Sequence, residues 1–264
     1  MARVRYAVSL IFLFLVACAS QEEVLLPTYI SRELSRSLTV FDPEQSAARP
    51  DCAPITLEEK TEEDCDTAEE LAGWTHIGPP NKKRTRYTIS PDGGRRAIKA
   101  EGVMSASGLI RRVSINPYEC PLIEWEWRAD KVQKNANLRT KEGDDVTASV
   151  GITFGDPGFL VNITRRPTIR YVWTNGYSVL DESVLNPHVD VVQSIVVRNE
   201  PNRVGTWVHE RRNILDDYRR VFGGEPRHKI AIVGLFTDND GTKEPVEAQY
   251  GKIWFLCGTE TAWD

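Results

Sequence analysis

No apolar run in the 264-residue chain reaches the roughly 20 residues that a membrane-spanning helix needs. The run from Ala7 to Val16 stops far short of it. The sequence also lacks a nucleophile elbow, a phosphate-binding Walker loop, a dinucleotide fingerprint and an HExxH pair. Those absences remove the common serine-hydrolase, nucleotide-binding and zinc-protease arrangements. Only four histidines are present, with no spacing suited to a shared metal. The five cysteines form no CxxC pair, which argues against a zinc ribbon. Basic residues are outnumbered, 33 against 38 acidic, for a formal charge of −5. That balance argues against nucleic acid and against anionic lipid surfaces as partners. There is no internal repeat and no low-complexity tract.

What is present begins at the N-terminus. Arg3 and Arg5 precede the apolar run, and Leu15-Val16-Ala17-Cys18 follows it. A basic region, a short apolar core and a small residue before cysteine make an export signal of lipoprotein type. Residues 1–17 are expected to be removed and Cys18 to be lipidated. Loss of Arg3 and Arg5 takes the charge from −5 to −7. Several acyl chains on Cys18 hold a membrane more firmly than one. Ser20 stands where Asp often signals inner-membrane retention, so the outer membrane is the expected location, with the body in the periplasm or at the cell surface.

Export places the remaining cysteines, Cys52, Cys65, Cys120 and Cys257, in an oxidising compartment. Cys52 and Cys65 lie close together in one polar segment and are the expected disulfide. Cys120 and Cys257 both flank strands and either pair or stay as buried thiols. Residues 18–72 differ in character from the rest, with acidic residues crowded between Glu58 and Glu70. The folded domain is expected over 73–264.

From Trp74 onward short apolar or alternating runs are separated by turn residues such as Pro91-Asp92-Gly93-Gly94. Ile123, Trp125 and Trp127 share one strand face, with Glu124, Glu126 and Arg128 on the other. The pattern predicts a mainly β fold, an antiparallel β-sandwich of jelly-roll type. One helix is expected over His209–Phe222, from the helical spacing of Ile214, Leu215, Tyr218, Val221 and Phe222. Gly223-Gly224 is its expected stop.

Several ordered segments resemble a known family. They are Thr85-Arg86-Tyr87, Ile98-Lys99-Ala100, Ser105 to Leu109, Trp125-Glu126-Trp127-Arg128, Gly143-Asp144-Asp145, Tyr171-Val172-Trp173, Asp217-Tyr218-Arg219 with Phe222-Gly223, and Thr237-Asp238-Asn239-Asp240. Their order and spacing, over roughly Trp74 to Phe255, are similar to the bacterial domain-of-unknown-function family 3047. The resemblance implies an exported β-sandwich and no assigned activity. The chain departs from the family pattern at Asn213, where many members carry Asp, and at Ser149, where an Arg is frequent. A lost ionic cluster would favour binding over catalysis.

The candidate ligand-binding residues are Asp144, Asp145, Arg212, Asp217, Asp238, Asp240 and Trp173. On a strand, Asp145, Thr147, Ser149 and Gly151 would share a small polar face suited to a glycan groove. Val146, Ala148, Val150 and Ile152 would then face the core. Asp145, Asp217 and one of Asp238 or Asp240 are expected to meet in one pocket, with Arg212 or Ca²⁺ as counter-charge. Asp238 and Asp240 offer the oxygens that calcium prefers. Tyr171, Trp173 and Trp207 are candidate exposed platforms. Glu124 and Glu126 have a spacing compatible with a glycosidase acid pair, although cross-strand ion pairs explain them equally. The leading expectation is a non-catalytic envelope glycan-binding lipoprotein. The alternatives are a glycan-cleaving enzyme using Asp144, Asp145 or Asp217, and a structural or assembly lipoprotein.

Overall fold

The computed structural model describes residues 36–45, 73–155, 165–175, 177–199 and 203–258. Cys18, Cys52 and Cys65, with the expectations that rest on them, lie outside these residues. Leu34–Asp264 forms one compact unit.

The strands are β1 (Arg36–Phe41), β2 (Thr75–Ile77), β3 (Arg86–Asp92), β4 (Arg95–Gly102), β5 (Ala106–Ile115), β6 (Leu122–Lys131) and β7 (Ala148–Phe154). They continue with β8 (Thr168–Trp173), β9 (Ser183–Leu185), β10 (Val192–Arg198) and β11 (Val208–Asn213). Helix α1 (Ile214–Phe222) follows, then β12 (Ile230–Asp238) and β13 (Val246–Cys257). One sheet runs β11-β6-β13-β4-β3 with β1 also on β13; the other runs β2-β5-β12-β7-β8-β10-β9. The fold is thus the mainly β sandwich of jelly-roll type that the alternation predicts. β1 joins it from the segment expected to precede the domain.

One pair departs from the antiparallel rule. β8 and β10 run parallel. Parallel neighbours need a crossover of a dozen or more residues. Here the chain from 174 to 191 supplies it, laying β9 antiparallel on the outer edge of β10.

The core lies between the sheets. Trp125 and Trp127 are fully buried, as their phase with Ile123 requires. Trp125 stacks on Tyr171 with ring centroids 5.1 Å apart, and Trp127 meets Trp173 edge-on at 5.7 Å. Such pairs contribute about 0.5–1.5 kcal/mol beyond area burial. Cys120 and Cys257, left open by the sequence, form a disulfide across 137 residues. Closing so long a loop removes denatured-state entropy and stabilises by about 4–5 kcal/mol.

The helix is shorter than its apolar spacing suggested. Residues 208–213 form β11 and pair with β6. Asn213 then caps α1, its side-chain oxygen accepting from the N–H groups of Leu215 (3.1 Å) and Asp216 (3.3 Å). The end is as expected: Gly223 takes φ 74° and its N–H bonds Arg219 O at 2.9 Å. Only glycine enters that region without steric cost.

Candidate functional site

The acidic residues that the sequence singled out separate into two groups. Asp144 and Asp145 sit in the connection from β6 to β7, just before that strand. Asp238 ends β12, and Asp240 lies in the turn after it. Carboxylate oxygens of Asp145, Asp238 and Asp240 all lie within 4.8 Å of one another. Backbone donors hold them there. Asp145 accepts from Gly241 N (3.2 Å) and Thr242 N (2.6 Å), and Asp238 accepts from Val146 N (2.8 Å). Asp144 pairs with Arg170 at 2.7 Å and takes a further hydrogen bond from Asn186.

Burial pushes the Asp238 carboxyl well above the usual carboxylate range; Arg170 opposes this, and Asp145 and Asp144 add to it. The Lys82 ammonium sits on Asp240. Its pKa is raised, first by the hydrogen bond to Asp240 and then by that residue's charge. Lys82 therefore places a protein cation beside the cluster; the expected Arg212 is not there, and the spacing of the three carboxylates is one that could hold a metal ion.

Asp217 stands apart. It is buried on α1, where Arg212 binds it through two nitrogens (2.9 and 2.5 Å) and Arg220 through one (3.0 Å). The Tyr171 hydroxyl donates to it at 3.0 Å. Asp181 closes the group from outside, 2.9 Å from Arg212 and 2.8 Å from Arg220. Burial would raise the Asp181 carboxyl, but the two guanidinium groups hold it below its ordinary value. Burial likewise works against the Arg212 charge, and Asp217 overcomes it to raise the Arg212 pKa.

The shared pocket is thus corrected: Asp145, Asp238 and Asp240 meet, and Asp217 with Arg212 does not join them. The reason is the pleat. Arg170 and Tyr171 are adjacent on β8 and point to opposite faces, so the groups they contact lie on opposite sides of the sheet.

The polar face proposed around Asp145 is not an open groove. Asp145, Thr147 and Ser149 are buried. Thr147 donates to Gln133 Oε1 at 2.6 Å, and Ser149 Oγ bonds Phe236 O at 3.3 Å. The alternation also fails at its start. Ala148, Val150 and Ile152 enter the main core, whereas Val146 packs with Leu138, Val172, Val184 and Val196 in a separate cluster.

The proposed aromatic platforms are corrected too. Trp173 and Tyr171 are buried between the sheets. Trp207 is half-buried, with the Arg95 guanidinium 4.3 Å from its ring centroid. Glu124 engages His209 (3.0 Å) and Arg211, and Glu126 engages Arg95. Glu124 meets both partners on the adjacent strand β11, and Glu126 reaches Arg95 on β4 across β13, so cross-strand pairing, the simpler of the two readings, accounts for their spacing.

A concavity that the sequence did not single out lies beside the acidic cluster. It is a cleft of about 470 Å³ lined by Val132, Gln133, Thr174, Asn175, Tyr177 and Val204 among others. Gln133 links the two features. Its amide donates to Asp238 O at 2.5 Å while its oxygen accepts from Thr147. Asn175 fixes the opposite wall by donating to Lys134 O (3.0 Å) and Ala136 O (2.7 Å). Tyr177 is 74% exposed. Thr174 Oγ1 is buried with no hydrogen-bond partner among the described residues. The sequence signal was Asn175-Gly176-Tyr177, a turn followed by an aromatic. It went unused because exposure there depends on the crossover to β10.

Comparison with known proteins gives a family and a set of distant folds. The family model described as a protein of unknown function, DUF3047, matches residues 72–254. No curated protein matches the sequence. Among solved structures, the chain is similar to the glycoside hydrolase domain of Endo-D from Streptococcus pneumoniae at 9% identity and a TM-score of 0.34. That match covers 71% of this chain, which spans only 22% of the Endo-D chain. It is also similar to a family 11 carbohydrate-binding module from Clostridium thermocellum in complex with a mixed-linked tetrasaccharide. There the identity is 9%, the TM-score 0.39, and the coverage 74% of this chain and 95% of that one. A cleaved adhesin domain of Lys-gingipain from Porphyromonas gingivalis gives 10% identity and a TM-score of 0.38, covering 84% and 99%.

Proposed function

The chain belongs to the DUF3047 family, a family of unknown function, so its role must be read from its own side chains, and we propose that it is an envelope-anchored lipoprotein that binds a glycan without cleaving it. The observation that carries this reading is the Tyr177 cleft. Its volume lies in the range of small-ligand sites, which are mostly apolar with a few placed polar groups. Tyr177 offers an exposed ring for the apolar face of a sugar. Lys134 is exposed at the same cleft and offers a donor for sugar hydroxyls.

Catalysis is disfavoured by the state of the candidate carboxylates. Asp217 and Asp144 are locked by arginines, and Asp145 by backbone N–H groups. None of the three lines the cleft. The lipid on Cys18 follows from the Leu15-Val16-Ala17-Cys18 run alone.

A glycan array probed with the Leu34–Asp264 unit tests the binding. Captured oligosaccharides whose affinity falls about ten-fold or more in Tyr177→Ala support the reading, since a buried aromatic contributes about 1.5–3 kcal/mol. An array with no ligand, or ligands indifferent to Tyr177→Ala, sinks it. A protein partner is the second reading, favoured by the exposed apolar side chains of Val179, Leu180 and Leu185 on the same crossover.

A further inference from the structure

Beside the acidic cluster, the turn from β4 to β5 places two large apolar side chains in water. Val103 is 58% and Met104 54% exposed. Met104 has φ 51°, a left-handed conformation that costs a non-glycine residue energy. A turn that spends backbone energy to hold a methionine outward is an outlier that calls for a function.

Asn239 fastens this turn to the next. It accepts from Ser105 N (3.0 Å) and donates to Gly102 O (3.0 Å) and Glu244 O (2.7 Å). In that second turn Lys243 is exposed and also left-handed, with φ 60°. Met104 and Lys243 are thus two of the three non-glycine residues with positive φ among those described. On the other flank Lys83 bridges to Ser105, and its carbonyl accepts from Ala106 N at 2.9 Å. Arg84 follows, also exposed. Lys83, Arg84 and Lys243 have no acidic partner among the described residues. The nearby acids are engaged elsewhere: Glu101 with Lys99, Asp240 with Lys82, and Glu244 with Lys134 N and Asn135.

We propose that this tip docks on a lipid bilayer carrying anionic headgroups. Val103 and Met104 enter the interfacial layer, and Lys83, Arg84 and Lys243 ring them against lipid phosphates. The chain as a whole is acidic, so the tip is a local exception to the charge argument against such surfaces. The inference rests on the envelope reading for its location only, because the tip itself needs no acyl chain.

Co-sedimentation of the Leu34–Asp264 unit tests the proposal without Cys18. The unit is expected to pellet with vesicles of phosphatidylethanolamine and phosphatidylglycerol, to be released by salt, and to stay in solution with phosphatidylcholine alone. The double variant Val103→Ser/Met104→Gly, checked for a melting temperature no lower than the parent's, is expected to lose the binding. Neutralising any one of Lys83, Arg84 or Lys243 is expected to weaken it about five-fold. Failure of the unit to pellet with anionic vesicles, or equal pelleting of the double variant, overturns the proposal. Neither result touches the Tyr177 cleft, and a blank glycan array leaves the vesicle result standing.

Discussion

Arg170 and Tyr171 are consecutive on β8 and hold two acidic centres on opposite sides of one sheet: Arg170 binds Asp144 at 2.7 Å, while Tyr171 donates to Asp217 at 3.0 Å. The carboxylates in these centres therefore differ in what their removal should do.

Asp217 sits in an ion-pair group whose arginine is partly buried. Asp217→Ala leaves Arg212 without its main partner, and breaking such a pair costs about 3–5 kcal/mol. Urea unfolding of the variant is expected to show a loss of that order. Asp217→Asn, which keeps an acceptor for Tyr171, is expected to lose less. A loss under about 1 kcal/mol for the alanine variant contradicts the account.

Asp238 behaves in the opposite sense. Burial raises its folded pKa above the unfolded value, so its contribution is full at acid pH and is lost as pH rises through the folded pKa. Asp238→Asn keeps an acceptor for Val146 N and removes the titration. The variant is expected to melt close to the parent below about pH 4, under the ordinary aspartate pKa, and progressively above it as pH rises. A variant that is less stable at the higher pH refutes this sign.

Lys82 supplies the charge that the Asp145, Asp238 and Asp240 cluster needs. The ammonium is half-exposed, so Lys82→Ala is expected to cost only about 0.5 kcal/mol. Chelator is expected to leave the parent's melting temperature unchanged. A fall with chelator that calcium restores would assign the cluster to a metal and displace Lys82 from this role.

The cysteines make a further prediction. Peptide mapping without reductant is expected to recover Cys120 linked to Cys257 and Cys52 linked to Cys65. Cys18→Ala is expected to abolish labelling by a palmitate analogue. A Cys52–Cys120 peptide, or unaltered labelling in the variant, contradicts the respective half.

β4 and β6 were legible because their alternation is set by one buried face, whereas β7, buried along almost its whole length, was legible from the turn residues before it. The three-residue strands β2 and β9 carry too little pattern to register. The stretch before Ile214 was misread because apolar spacing on α1 does not announce that the preceding residues pair with β6. Asp145, Asp238 and Asp240 were legible as acidic turns, since both loops close on the same rim. Asp217 was misplaced because the side of the sheet reached by its partner depends on one residue of phase at Tyr171. Tyr177 was missed since its exposure comes from a crossover whose need, the parallel pairing of β8 with β10, leaves no local mark.

The pairing of Arg36 with Cys257, the first contact of β1 with β13, has a mechanical consequence. A pull arriving from the N-terminal side enters the folded unit beside a sulfur bridge. β1 can peel away from its neighbour, but the end of β13 that receives the load is covalently bound to the start of β6. On the lipoprotein reading, drag on the molecule would first load β1 against β13, at the end of that strand which Cys257 ties to Cys120 just before β6.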